Sequence, residues 1–521
     1  MKKLIAYTFC YFAFQQLATA AIRPETGETY RLYGGNGEDG GYNIRTTRDG
    51  GFIIAGNTAD ENGNRDMLLL KLRPDLKLDE RFGNRGRLRI GGSGEDQAAD
   101  VLEIFDSMTK ATSYLLVGQS DSTDGDFDGL SHRGKIDTVL VMLDESGNFE
   151  RSFGEKNTGI RFYGTSEDDE PIVHRHNYSE PGERIVEADD GFIISSHARA
   201  SDGDLEGISI NGIHSGRDVF IFKIDKQGDF VESWADQGVF LLGSNVGSQD
   251  RQKENANDFI FSIQLDLNGY LIGGGYTLGK DISLDGDRVL TIGNLDHQGA
   301  DDAHGDVLLY KMDGMVIRLT PEGGLDDSWG SKGVVFLGGT RQEKMYDVDT
   351  DQLGRYLITG RTTSYDLQMH RKKGLESGFD MVVCRLMPDG MLDKSFGDSG
   401  KLIIAGKGDD QALRISVRED GSIVFLGQST STDGHFALPG YLDLYRQAVI
   451  GVLNDDGEID RVYSLGLEGE DKPSSFVITD EARIVITGFR LPFVNYEYDK
   501  EDPEILKRRL WVHAFDSNER F

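Results

Sequence analysis

Cysteine, proline and positive charge are all scarce in this chain. Of 521 residues only two are cysteine, Cys10 and Cys384, and ten are proline. One of those cysteines lies in the apolar N-terminal stretch described below. Cys384 is then alone, which excludes a disulfide framework and marks it as a small buried hydrophobe. Few prolines, with no three-residue glycine period, exclude a collagen-like chain. Lysine and arginine number 56 against 89 acidic residues, a net charge of −33. Phosphate contacts need Lys and Arg, so non-specific nucleic-acid binding is disfavoured. No run beyond the N-terminus is long and apolar enough to span a bilayer.

The N-terminus reads as an export leader. Lys2 and Lys3 form its basic region, Leu4 to Phe14 an apolar core, and Ala18-Thr19-Ala20 a small-residue cleavage site. Residues 1–20 are therefore expected to be removed. The mature chain, 21–521, is expected in the periplasm, at the cell surface or outside the cell.

What is abundant is glycine, 67 residues, and it falls in a repeat. An Asp opens an alternating apolar run, a polar-glycine turn follows, and an aromatic closes the unit. Five copies run from Asp66 to Phe82, Asp137 to Phe153, Asp218 to Trp234, Asp313 to Trp329 and Asp380 to Phe396. Two weaker copies start at Gln447 and Arg509. A second apolar run precedes each copy, such as SYLLVGQ from Ser113. A third follows it, such as RLRIGG from Arg87, and a variable fourth opens the unit, such as AADVLEI from Ala98. Short β-branched runs bounded by Gly, Asp and Asn are strands. In chain order they are strands a (AADVLEI type), b, c (the Asp-led line) and d.

Four strands in seven units, about 72 residues each, predict an all-β fold, a seven-bladed β-propeller of four-stranded blades in one domain. The last unit ends after strand c, while a spare strand d stands at Tyr30. Residues 29–35 are therefore expected to complete the C-terminal blade, closing the ring and removing its open edges. The line Leu386–Gly400, L-x-x-D-G-x-L-D-x-S-F-G-x-x-G, resembles the delta-60 repeat of exported bacterial proteins. The stretch Leu115–Gly147 is similar to repeats of exported bacterial propellers. The resemblance implies a repeat β architecture and carries almost no function.

Alternating strand direction puts the b–c loops and d–a turns on one face. The b–c loops span 57–65, 119–136, 197–217, 275–312, 361–379, 428–446 and 489–508, far longer than a hairpin needs. Such loops on a rigid scaffold are where binding resides. Seven of the ten histidines fall in them: His132, His197, His214, His297, His304, His370 and His435. Of these, His132, His214, His297, His304 and His435 are the candidate ligand-binding set.

Two adjacent blades carry a carboxylate–glycine turn, Asp124-Gly-Asp126-Phe-Asp128-Gly129 and Asp202-Gly-Asp204-Leu-Glu206-Gly207. Asp124, Asp126, Asp128, Asp202, Asp204 and Glu206 are candidate calcium ligands, since three carboxylates about a tight turn suit a hard cation. An EF-hand would need Glu at the twelfth position, where Lys135 and Ile213 stand. Asx hydrogen bonding alone also explains such turns.

Acidic pairs recur in the d–a turns at Glu38-Asp39, Glu95-Asp96, Glu167-Asp168, Asp409-Asp410 and Glu470-Asp471. Fivefold recurrence favours turn capping over catalysis. The Asp opening strand c is expected to bind backbone N–H groups. The closing aromatics are expected to wedge between blades. Gly35-x-Gly37-x-x-Gly40 lacks the helix of a dinucleotide fingerprint, and Gly397-Asp398-Ser399-Gly400 is repeat grammar rather than a protease nucleophile.

The reading is an exported propeller that is a non-catalytic, calcium-stabilised binding or scaffold module. Its expected partner is an extracytoplasmic protein or glycan. The alternatives are a metal-assisted hydrolase or lyase on the long-loop face, and a structural surface protein.

Overall fold

A computed structural model describes residues 29–33, 38–60, 62–171, 182–211, 216–244, 257–279, 281–284, 288–291, 312–339, 341–364, 378–436, 446–465, 470–491 and 509–516. The expected leader, 1–20, lies outside them.

The chain forms a seven-bladed propeller of antiparallel sheets. The first blade runs from the axis outward as Asp39–Thr46, Phe52–Ala59, Arg65–Leu72 and Arg87–Ile90. The second is Asp96–Phe105, Thr112–Ser120, Asp137–Asp144 and Ile160–Tyr163. The third is Ile185–Ala188, Gly191–Ala198, Asp218–Ile224 and Val239–Leu242. The fourth and fifth begin at Asp258–Leu265 and Glu343–Thr350, the sixth and seventh at Asp410–Val417 and Glu470–Ile478. Innermost strands of neighbouring blades touch all round the ring.

Closure follows the expected scheme. Thr29–Tyr33 pairs antiparallel with Arg509–Asp516, from Thr29 opposite Ala514 to Tyr33 opposite Leu510. Residues 34–35 of the expected strand lie outside the described residues.

The recurring glycine near the end of strand b has a steric cause. In six blades the inner strand carries a β-bulge, as between Ala98 and Asp100 or Ala412 and Arg414. The bulge turns a carbonyl toward strand b, where a Cβ on Gly427 would stand 2.6 Å from the Gln411 carbonyl oxygen. In the third blade Ser196 takes this place, and the inner strand is short and unbulged.

Between blades the core is apolar and continuous. Phe82, Phe153, Trp234, Trp329 and Phe396 are buried. Each ring lies over a turn glycine of the next blade, Phe153 on Gly228 and Trp234 on Gly323 for example. The residue after each ring donates to the neighbouring turn, as Gly154 N–H to the Gln227 carbonyl at 3.0 Å. The aromatics are the expected wedges. Cys384 is buried in the fifth blade, and burial pushes its thiol up to about 12.

Two long loops have structure of their own. Ile210–Asn211 adds a parallel fifth strand to its blade beside Leu241 and Leu242. Asp281–Leu284 and Arg288–Thr291 pair as a hairpin.

Candidate binding face and channel

The carboxylate–glycine turns are short 3₁₀ turns, Gly125–Phe127 and Gly203–Leu205, with a third at Gly434–Phe436. Their glycines have φ of +62°, +61° and +61°, where a Cβ is strained. Phe127, Leu205 and Phe436 anchor the turns in the core. The carboxylates then reach to the end of the outer strand. Asp124 accepts from Ser93 N–H at 2.7 Å and Asp126 from Gly91 N–H at 3.0 Å. Asp202 accepts from Ser166 N–H at 2.8 Å and Asp204 from Gly164 N–H at 3.0 Å. In the sixth blade Asp433 takes the first role, and His435 Nδ1 lies 3.0 Å from Ala405 N–H in the second.

The same His435 Nδ1 lies 3.1 Å from the Ala405 carbonyl oxygen, so the histidine holds the backbone at the place of Asp126 and Asp204. Asp128 and Glu206 point outward and are exposed. Among the described residues no three His, Cys, Asp or Glu side chains are grouped to hold a metal. Of the six expected ligands, Asp124, Asp126, Asp202 and Asp204 accept backbone N–H groups, while Asp128 and Glu206 are exposed. Hydrogen bonds from Ser166 hold Asp202 below the ordinary carboxylate range. Burial raises Asp204 despite the Gly164 N–H and the nearby Arg133.

The described histidines serve the scaffold separately. His132 Nε2 lies 3.0 Å from the Ser120 carbonyl, and its Nδ1 is 3.6 Å from Asp137. His197 is buried, accepting Ile260 N–H at Nε2 (3.2 Å), so its Nδ1–H donates to the Glu170 carbonyl at 3.0 Å. His214, His297, His304 and His370 lie outside the described residues.

The acidic turns cap themselves, and so do the matching acids of two blades that carry no doublet. Asp96 accepts Gly92 N–H at 2.8 Å and Asp410 accepts Gly406 N–H at 2.9 Å. Glu343 accepts Gly339 N–H at 3.0 Å, and Asp258 accepts Ser244 N–H at 2.7 Å. In the third blade the capping acid is Asp169, on Thr165 N–H at 2.5 Å, rather than the expected Asp168. Except at Asp258, the acid stands four residues after the N–H that it caps, a spacing legible in sequence that does not require a doublet. The first acid of the doublet has a separate job. Glu95 and Glu38 bind Arg65, and Glu167 binds Lys135, each cation sitting just ahead of strand c. At strand c itself, Asp137 accepts from the N–H groups of Arg133 (2.5 Å) and Gly134 (3.3 Å), as expected. Asp66 departs from that expectation, pairing with Arg89 and Asn64 side chains.

The channel holds a charge network that sequence gave no means of assembling. The bulges place Asn43, Asp100, Ser262, Asp347, Arg414 and Ser475 at equivalent positions of six inner strands. Where the third blade lacks a bulge, its chain enters as Gly182-Glu183-Arg184. Glu183 bonds Arg45 of the first blade at 3.1 Å and Arg414 of the sixth at 2.9 Å. Arg45 also bonds Asp100 at 2.7 Å, and Asn43 Nδ2 donates to Asp100 at 2.6 Å. Blades three and six are not neighbours, so these ion pairs bridge the channel. Burial opposes the charge on Arg45, but Asp100 and Glu183 outweigh it and raise its pKa. Burial pushes Asp349, one strand step beyond Asp347, up to about 7 although it accepts Val417 N–H at 2.8 Å.

Nearer the loop face the inner strands present Gln97, Phe259, Lys344 and Gln411, one residue after Asp96, Asp258, Glu343 and Asp410, with Lys472 at the matching position of the seventh blade. Lys344 Nζ stands 4.4 Å from the centre of the Tyr276 ring. Phe259, Phe261, Tyr276, Tyr346 and Leu413 pack together beside it.

No protein-family model matches the chain, and no curated protein does. Among solved structures it is similar to the Dos1 propeller, at 7% identity over 94% of this chain and 95% of that one, with a TM-score of 0.40. It is similar to the NanB sialidase of Streptococcus pneumoniae at 11% identity, covering 94% of this chain and 69% of that one, TM-score 0.34. CoXyl43, a β-xylosidase/α-arabinofuranosidase from a compost microbial metagenome, matches at 12% identity over 70% and 94%, TM-score 0.27. At such identities and scores no activity is carried across.

Proposed function

We propose that the protein is an exported, non-catalytic binding module whose long-loop face takes an extracytoplasmic protein or glycan. The supporting observation is the division of labour in the blades. The d–a turns are tied down by their own acids, while the b–c loops of the third and fourth blades extend into a fifth strand and a separate hairpin. A rigid rim carrying elaborated loops is the arrangement of a recognition surface. The described histidines and carboxylates of this face bond the backbone, which supports recognition over hydrolysis.

The test deletes residues 281–306 and compares the variant with the full chain on a glycan array and in pull-down from the exported fraction. Loss of a specific ligand with an unchanged melting temperature supports the proposal. A ligand retained in full, or no ligand for the parent chain in either assay, overturns it.

A further inference from the structure

We propose that the junction between the second and third blades binds a hard divalent cation, with calcium the best match, between Asp137 and Asp169. Asp137 opens strand c of the second blade, and Asp169 caps the turn leading into the third. Both are fully buried. Each spends Oδ2 on donors. Asp137 Oδ2 takes the Arg133 and Gly134 N–H groups, and Asp169 Oδ2 takes Thr165 N–H and Oγ1–H, the latter at 2.7 Å. Oδ1 of each is buried with no hydrogen bond, the Arg199 N–H being the further group that faces Asp169.

The two carboxylates meet across Gly164, whose Cβ would stand 2.6 Å from Asp137 Oδ1 and 2.9 Å from Asp169 Oδ2. Backbone carbonyls join them. A Cβ on Gly134 would strike the Glu167 carbonyl oxygen and stand 2.6 Å from that of Thr165 and 3.1 Å from Asp137 Oδ1. Asp137 Oδ1 is the oxygen common to both places, facing Asp169 on one side and the carbonyls on the other, and two like charges out of water need a positive partner.

The neighbouring cations are directed elsewhere. Arg133 binds Asp204 at 2.8 Å, Lys135 binds Glu167 at 2.6 Å, Arg217 binds Glu170, and Arg199 lies 4.0 Å from Asp168. His132 Nδ1 lies 3.6 Å from Asp137 Oδ2, the oxygen already taken by the Arg133 and Gly134 N–H groups. The repeat supplies its own comparison. At the last two junctions the strand-c acid is replaced by Gln447 and Arg509, an amide and a cation. A proton on one carboxylate would serve one bare oxygen, whereas a cation meets both bare oxygens at once. Calcium takes six to eight oxygens from carboxylates, carbonyls and water, and so fits two acids with two carbonyls.

The test uses the full chain, stripped with EGTA at pH 8 and then given millimolar calcium chloride. The melting temperature should rise by several degrees, as for any ligand of the native state. Asp169→Asn should abolish the rise, while Asp126→Asn and Asp202→Asn keep it. Bound calcium counted by elemental analysis after gel filtration should fall by one per chain in Asp169→Asn. Should that variant fail to fold, Asp137→Gln, which copies Gln447, is measured the same way. Equal melting in EGTA and calcium overturns the proposal. So does a rise seen only on acidification to pH 5.5, the mark of a shared proton.

Discussion

Asp126, Asp204 and His435 occupy one structural place in three blades, and what they share is a contact to the backbone beyond the outer strand. Side chains so used are worth about 1 kcal/mol each. Asp204→Ala should cost roughly that in urea unfolding, equally with calcium and with chelator. His435→Asp restores the repeat's usual acceptor and should shift stability by less than about 0.5 kcal/mol. A large loss in His435→Asp would show that the imidazole has a role that a carboxylate cannot fill. The pattern D-x-[D/N]-x-[D/E]-G was legible in sequence. Its purpose was not, because capping and cation binding ask for the same residue types and differ only in where the oxygens point.

Blades are joined at two levels, by aromatic wedges toward one face and capped acidic turns toward the other. The wedge is a paired device, since the glycine of the next blade must lack a Cβ for the ring to lie flat on it. Gly323, at φ +91°, also needs glycine for its backbone. Phe153→Ala should cost about 3–5 kcal/mol, read from chemical unfolding, as a large buried ring is lost. The closing strand Thr29–Tyr33 is the second element that can be tested. Its removal leaves Arg509–Asp516 as an open edge with unpaired backbone groups. The shortened chain should melt lower and self-associate, seen by light scattering. A monomer with unchanged melting would show that the pairing is dispensable.

At the scale of the whole ring, acidity and burial act together on stability. Burial pushes Asp258, Asp349 and Asp410 up to about 7. In the unfolded chain they titrate near 3.9. Between those values the folded ring holds protons that the unfolded chain has released, so stability falls as pH rises and levels off above about 7. Groups shifted the other way by hydrogen bonds, such as Asp144 and Asp393, act only below the ordinary carboxylate range. The melting temperature should therefore be several degrees higher at pH 5.5 than at pH 8. A melting temperature that rises from pH 5.5 to pH 8 would refute this. The excess of acid residues thus has a structural component, because Asp96, Asp258, Glu343 and Asp410 each open an inner strand and accept a backbone N–H from the segment before it.

Sequence by itself determined the all-β class, the seven units, the closing strand and the wedging aromatics. Each of these is written in local periodicity or in the recurrence of a unit, and both survive without coordinates. Only the tertiary structure decided what lies between units. It placed Glu183 across the channel against Arg45 and Arg414, residues 138 and 231 positions away. It moved the third blade's cap from Asp168 to Asp169, and it set Asp137 beside Asp169 across Gly164. The physical reason is that a side chain's partner depends on where its atoms point once the ring is closed. A repeat in sequence records which residue types recur, and the direction of a carboxylate oxygen is not among them.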